Sequence, residues 1–257
     1  MKIVSICLSR KNSKRFPNKV MADLNGKPMI FYTLEIMKKL GYESYLYTDN
    51  EELRNYAKKE FPEINVRIKP DVYAQDKHLT NIELTKYNKD IQADVFIYLA
   101  GTSPLRQIEI VQKGIKTFID NMDRYDCAMA VKELPDRMYW FGYAPCSFEL
   151  KHRTFNNSET IRKKIFEETG SLYIFKKELL QNNFFINNKC LFVNDEINID
   201  VDNIVDLKQT EKHETSQVKM VNILKEIEDW YFNKYKVKMP VLNYKIMNEY
   251  KKDKKES

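Results

Sequence analysis

Apolar residues in this chain alternate between two spacings. Short continuous runs, rich in β-branched and aromatic side chains, are separated by longer stretches in which apolar positions return every three or four residues. The first spacing predicts buried strands and the second amphipathic helices. Strands are expected over Lys2–Leu8, Tyr42–Tyr47, Val66–Ile68, Asp94–Leu99 and Cys127–Val131, and helices over Met29–Leu40, Glu51–Phe61, Thr80–Asp90 and Ile108–Asn121. Strands that alternate with helices in this way imply βαβ units, and so an α/β fold with a Rossmann-like, mostly parallel sheet flanked by helices.

The rhythm changes at Lys132. The stretch 132–168 holds Tyr139, Trp140, Phe141 and Tyr143 close together, too aromatic for a solvated loop, before Gly170–Phe175 returns to the strand pattern. Glu214–Tyr235 predicts a helix, and the lysine-rich 251–257 predicts a disordered tail. The expected organisation is one large domain over 1–213, interrupted by an excursion over 132–168, and a helical extension over 214–257.

Composition narrows the possibilities. With 257 residues and 43% hydrophobic content the chain can bury a sizeable core. No run approaches the roughly 20 apolar residues of a membrane span, and Arg10–Lys19 cuts short the early apolar run, so neither a membrane protein nor a secretory leader is expected. A cytoplasmic protein is the expectation. Cys7, Cys127, Cys146 and Cys190 are scattered without a C-x-x-C pair, which points to core thiols. The net charge of +6 gathers in the N-terminal loop and the tail, a distribution that fits an anionic small ligand better than nucleic acid.

Three stretches carry candidate chemistry. The first strand runs into Ser9-Arg10-Lys11-Asn12-Ser13-Lys14-Arg15-Phe16-Pro17-Asn18-Lys19, five cations and two hydroxyls at the carboxyl end of a strand, where ligands of open α/β sheets bind. Ser9 and Ser13 can hydrogen-bond phosphate oxygens, Arg10 can do so bidentately, and Lys14 and Lys19 act as point charges. A solvated basic loop is the bland alternative. The second stretch, Ala100-Gly101-Thr102-Ser103-Pro104-Leu105-Arg106, puts two hydroxyls and a guanidinium at the same sheet edge, or merely caps the following helix. The third is Ile197-Asn198-Ile199-Asp200-Val201-Asp202-Asn203. If this stretch is extended, Asp200 and Asp202 point the same way and can present two carboxylates to one hard cation. His78, His152 and His213 fall in no motif.

Together these stretches resemble the CMP-sugar synthetases, the acylneuraminate cytidylyltransferases and their relatives. Ser9–Val20 resembles that family's Ala-Arg-x-Gly-Ser-Lys-x-x-Pro-x-Lys-Asn loop, and Gly26–Ile30 its Gly-Lys-Pro-Leu-Ile turn. Tyr47-Thr48-Asp49 is similar to Ser-Thr-Asp, Lys69-Pro70 with Ala74-Gln75-Asp76 to Arg-Pro followed by Ala-x-Asp, and Gly101–Arg106 to Pro-Thr-Ser-Pro-Leu-Arg. Thr169–Tyr173 is similar to Asn-Gly-Ser-x-Tyr, and Asp200-Val201-Asp202 to Asp-Val-Asp. The similarity covers Met1 to about Glu211.

The resemblance implies a nucleotidyltransferase-type fold in which the anomeric hydroxyl of a nonulosonic or related 2-keto-3-deoxy sugar acid attacks the α-phosphate of CTP and pyrophosphate leaves. It implies Arg10, Lys19, Asp200 and Asp202 as catalytic residues, with Mg2+ on Asp200 and Asp202. It implies nucleotide contacts from Ser9, Arg10, Ser13, Lys14, Lys19, Lys69 and Asp76, and acceptor contacts from Ala100, Thr102, Ser103, Arg106, Ser171 and Tyr173. The excursion over 132–168 corresponds to the family's dimer contact, so a homodimer is expected. Lys11-Asn12, Val20 and Ala100-Gly101 depart from the family pattern, the last removing an amide that faces the acceptor in sialate enzymes. A metal-dependent glycosyltransferase, a non-catalytic nucleotide-binding module and a transferase acting on a phosphonate stay open as alternatives; the product released separates them.

Overall fold

The computed structural model describes residues 1–11, 13, 15–69, 80–134, 165–182, 185–237 and 239. The chain divides into two compact units, 1–206 and 207–257. The first holds strands β1 (Ile3–Ser9), β2 (Asp23–Leu24), β3 (Lys27–Pro28), β4 (Glu43–Thr48), β5 (Asn65–Ile68), β6 (Val95–Leu99), β7 (Cys127–Leu134), β8 (Ile165–Lys176) and β9 (Cys190–Asn194). Its helices are α1 (Ile30–Leu40), α2 (Glu51–Glu60), α3 (Thr80–Asn88) and α4 (Ile108–Asp120), with 3-10 turns over Lys19–Met21 and Lys177–Asn182. Helix α5 (Ile204–Tyr235) runs on into the second unit, where Lys234 lies over the Trp230 ring and Tyr231 packs on Tyr235.

Seven strands form one sheet in the order β5-β4-β1-β6-β8-β7-β9, while β2 and β3 make a separate short hairpin. Only β8 runs against its neighbours in the large sheet, pairing antiparallel with both β6 and β7. The parallel arrangement around β1 follows from the continuous apolar runs: a strand covered on both faces cannot alternate with polar residues. Ser5 is the exception inside β1, and its Oγ pairs with Ser44 Oγ on β4 at 2.6 Å, so burial leaves neither hydroxyl unsatisfied. One face of the sheet carries Val4, Ile6, Tyr45, Tyr47, Phe96, Tyr173 and Phe175 against Leu84 and Tyr87 of α3. The other meets α4 through Gly114, where a Cβ would stand 3.2 Å from both methyls of Val193. Among the described residues no helix is long and apolar enough to cross a membrane.

Three boundaries differ from the sequence reading. Strands β7 and β8 stay paired beyond the expected ends, from Val131↔Glu168 out to Leu134↔Ile165, so 131–134 and 165–168 form a two-stranded ribbon. The aromatic cluster at 139–143 lies outside the described residues. Strand β9 was not anticipated, because a five-residue edge strand with one buried side chain shows no clear periodicity. Helix α5 starts at Ile204, ten residues before Glu214. Its start is a capping box: Asn203 Oδ1 accepts from Val205 N and Asp206 N, while Asp206 Oδ2 accepts from Asn203 N at 3.0 Å.

Candidate active site

The carboxyl ends of β1, β4 and β6 lie side by side in the register Ser9↔Thr48 and Ile6↔Tyr98. Everything that follows these strands in sequence therefore gathers at one edge. From β1 the chain enters the basic loop, which is closed on itself by Asn18 N donating to Lys11 O at 3.2 Å and is tied to the loop after β4 by Lys11 N donating to Asp49 Oδ1 at 2.7 Å. Arg10 and Ser13 stand half-buried at this edge. Ser9 Oγ is buried and has no hydrogen-bond partner among the described residues. Lys14 and Asp76 lie outside the described residues.

The acidic half arrives from the far end of the domain. Residues 195–203 form a loop and not a strand, which corrects the extended geometry expected for Asp200 and Asp202. The loop is fixed by Val201 N donating to Thr102 O at 2.8 Å and by Asp206 Oδ2 accepting from Asp202 N at 2.8 Å. These bonds still bring both carboxylates to the same edge. Thr102 Oγ1 donates to Asp200 Oδ1. Lys19 Nζ donates to Val201 O at 2.8 Å and to Asp202 Oδ1 at 3.0 Å, and the exposed Arg15 guanidinium meets Asp202 Oδ2 at 2.7 Å. Gly170, in the left-handed region at φ 70, brings its backbone under Asp200, whose Oδ2 would lie 4.0 Å from a Cβ there.

Asp200 is held above the usual carboxylate range first by desolvation, and then by the neighbouring Asp202 and Asp206 charges; the Thr102 hydroxyl and Lys19 pull the other way. An all-oxygen donor set with excess negative charge fits a hard divalent cation, which commonly takes one or two carboxylates and fills its remaining positions with water and phosphate. Among the described residues no group of three or more His, Cys, Asp or Glu side chains is arranged to hold a metal ion, and both Asp202 oxygens are paired with Lys19 and Arg15, so a cation resting on Asp200 and Asp202 would displace those pairs.

Five residues expected to contact ligands are paired within the protein. Lys69 is buried and its Nζ is paired with Glu83 on α3 at 2.8 Å. Arg106 is 4% exposed, with Nε on Ser171 O at 2.9 Å, Nη2 on Ala100 O at 2.7 Å and Nη1 on Thr33 Oγ1 at 3.3 Å. Its donors hold backbone instead of an acceptor carboxylate. Ser171 is fully buried and donates to Asp195 Oδ2 at 2.6 Å, Ser103 is fully buried against Asn198 at 3.5 Å, and Tyr173 is buried with its hydroxyl on Glu168. Burial is the shared reason: each side chain points below the edge. Ala100 and Thr102 remain at the surface of the site. Gly101 beside them is held tight, since a Cβ would lie 2.7 Å from Ile30 Cδ1. The family's proline there would displace Ile30.

Sequence reasoning missed Arg15, Asn18, Asn50 and Asp206. Arg15 lies in the basic loop at a position where the resembling pattern fixes no residue. Asn203 and Asp206 carry a readable signal, a capping pair three residues apart at the end of the acidic motif.

The sequence pattern of the family described as Cytidylyltransferase matches residues 4–210. Among curated relatives, the 3-deoxy-manno-octulosonate cytidylyltransferase of Bdellovibrio bacteriovorus is 30% identical over 123 residues, and that match spans 47% of each chain, about half the relative's length. The pseudaminic acid cytidylyltransferase of Campylobacter jejuni is 26% identical over 181 residues, 67% of this chain and 78% of the relative. Among solved structures, a CMP:2-keto-3-deoxy-manno-octonic acid synthetase complexed with CTP superposes with a TM-score of 0.65 at 16% identity, covering 84% of this chain and all of that one. At that identity the superposition speaks for the fold.

Proposed function

The chain belongs to the cytidylyltransferase family, and from that premise we propose that it transfers CMP from CTP to the anomeric hydroxyl of a 2-keto-3-deoxy sugar acid, releasing pyrophosphate. One observation carries the reading: Lys19 of the basic loop bonds Asp202 and the Val201 carbonyl, so the cationic and acidic halves of the site meet at a single point. A triphosphate needs both, cations for the departing pyrophosphate and carboxylates for a divalent metal. The named substrates of the relatives, an octulosonate and a nonulosonate, support a sugar acid as acceptor, and a nonulosonic acid is our first choice.

In this reading Arg10 and Lys19 take the charge that grows on the leaving phosphates, and Ser9 and Ser13 donate to phosphate oxygens. Thr102 orients Asp200, while Thr102 and Ala100 line the acceptor side. Asp200 and Asp202 would hold Mg2+, which would supply positive charge to the phosphates. Among the described residues we assign no side chain as a general base, and water takes the acceptor's proton.

Pyrophosphate release scored with CTP, UTP, ATP and GTP against a panel of 2-keto-3-deoxy sugar acids tests the reading. Turnover with CTP and at least one nonulosonic acid is expected. Release from CTP with a phosphonate acceptor alone, or a nucleoside diphosphate product, overturns it. We further propose a cytoplasmic enzyme that forms a two-fold dimer through 132–168: the ribbon leading into that segment exposes Phe166, packed edge-on against Phe192. Light scattering at micromolar concentration is expected to give twice the 30.7 kDa chain mass, and a monomer rejects the dimer.

A further inference from the structure

Lys19 can serve a phosphate only if the loop before it is held still, and the described residues of the basic loop form no helix or strand until the 3-10 turn at Lys19–Met21. What holds it is a pair of amides. Asn18 adopts the left-handed conformation, φ 53 and ψ 28, which a residue with a Cβ occupies at some cost, asparagine less than most. Its carbonyl accepts from Met21 N at 2.9 Å and so starts the turn that carries Lys19. Its side chain reaches across to the loop after β4: Asn50 Nδ2 donates to Asn18 Oδ1 at 2.6 Å, and Asn18 Nδ2 donates to Glu52 Oε2 at 3.0 Å.

Asn50 is itself immobile. It is 1% exposed, its Oδ1 accepts from Leu53 N at 3.3 Å as the N-cap of α2, and its own N–H is satisfied by Thr48 Oγ1 at 3.0 Å. The two polar ends of the Asn50 side chain therefore divide the work, the oxygen capping the helix and the nitrogen holding Asn18. A helix cap needs only the oxygen. Serine, threonine or aspartate would cap α2 equally well, so the amide nitrogen is the part that the fold of α2 does not require.

We propose that Asn18 and Asn50 are positioning residues for Lys19, an amide clamp that fixes the basic loop to the rigid start of α2 and so sets the lysine ammonium at the edge where it meets Asp202. The clamp rests on the reading of Lys19 as a phosphate-stabilising residue. Neither amide touches the ammonium. They act through the backbone of residues 18 and 19, one at the hinge of the turn and the other in the buried frame behind it.

Two substitutions separate the clamp from the scaffold. Asn50→Ser keeps a cap oxygen for Leu53 N and is too short to reach Asn18, so no rotation of the Asn18 amide restores the link. Asn18→Gly keeps the left-handed backbone and removes the side chain. Both variants are expected to melt within a few degrees of the parent. Trypsin, which cuts after the loop's arginines and lysines, is expected to cleave between residues 10 and 19 about tenfold faster in either variant, the size of one lost hydrogen bond. In pyrophosphate release, kcat is expected to fall about tenfold with little change in KM for CTP, and the loss is expected to vanish in a Lys19→Ala background, where there is no ammonium left to position. Parent-like cleavage in both variants, or losses that simply multiply with that of Lys19→Ala, overturns the clamp. If the parent protein releases no pyrophosphate from CTP, the functional reading falls while the proteolysis still decides whether the amides hold the loop.

Discussion

Thr102 and Ser103 are neighbours in sequence, and so are Gly170 and Ser171, yet within each pair one residue belongs to the mouth of the site and the other to a layer beneath it. Thr102 bonds Asp200 at the surface and Gly170 passes under the same carboxylate, while Ser103 and Ser171 are fully buried on Asn198 and Asp195. The mouth is built from groups whose charges face solvent or one another: Arg15 and Lys19 on Asp202, and Asp200 beside it. The lower layer spends every strong donor on the chain itself, above all Arg106, which spans Ser171 O, Ala100 O and Thr33. The same residue types serve ligand chemistry in one layer and loop geometry in the other, and depth alone separates them.

The contrast breaks most sharply at Asp202. Replacing it with asparagine removes a charge that faces solvent and two cations, so the fold has little to lose. If Asp202 stabilises charge in the transition state, kcat is expected to fall a hundredfold to a thousandfold, about 2.7–4 kcal/mol. The measurement is steady-state pyrophosphate release beside a thermal melt. A variant with parent-like turnover at limiting magnesium removes Asp202 from the site.

Arg106→Met makes the opposite demand. Its guanidinium is buried, and burial lowers its pKa to about 10 although Asp195 and Asp200 draw it back up. Taking it away leaves the Ala100 carbonyl with the Thr33 hydroxyl alone at 3.1 Å and the Ser171 carbonyl with Ala100 N alone at 3.4 Å, an expected loss of about 2 kcal/mol of folding stability. Because the side chain never reaches the mouth, turnover per folded molecule is expected to stay within a few fold of the parent. Chemical denaturation and active-site titration together check both halves, and a stable but inactive variant returns Arg106 to the acceptor.

How much of this was readable beforehand follows from the same distinction. The sheet was readable because buried parallel strands declare themselves as continuous apolar runs, and β1, β4 and β6 needed no more than that. The basic loop was readable because five cations at a strand's carboxyl end have few structural uses. Depth was not. Ser171 and Arg106 sit in motifs with the composition of an anion site, and only the register of β8 and the fall of the β6–α4 loop turn them inward. The Lys69–Glu83 pair was unreadable for a similar reason, since Glu83 lies on a helix whose approach to the end of β5 no local pattern encodes. The clamp between Asn18 and Asn50 joins two loops 32 residues apart, and each asparagine alone reads as an ordinary turn or cap residue.

The smallest expected effect sharpens the comparison from the side of stability. Asp200 belongs to the mouth, and its pKa is raised by desolvation, with Asp202 and Asp206 adding to the shift. A carboxyl whose folded pKa stands above its unfolded value of 3.8 binds its proton more tightly in the native state. Its contribution to stability is therefore fully present below pH 3.8 and is lost as pH rises through the folded value. At neutral pH the ionised Asp200 is a burden on the metal-free fold, though a modest one, because its carboxylate is only partly desolvated at an exposed position and solvent screens it. An asparagine in its place would keep an oxygen for the Thr102 hydroxyl and shed the charge. The Asp200→Asn variant is accordingly expected to gain up to about 0.5 kcal/mol at pH 7 without metal, within the range of surface substitutions, and to lose that advantage as pH is lowered toward 4. In excess magnesium the order is expected to reverse, since a divalent cation binds only the native parent tightly and stabilises it by mass action. Melting curves at two pH values, each with and without magnesium, give the four numbers required, and a variant less stable than the parent in all four assigns Asp200 to the scaffold beneath the site and not to its mouth.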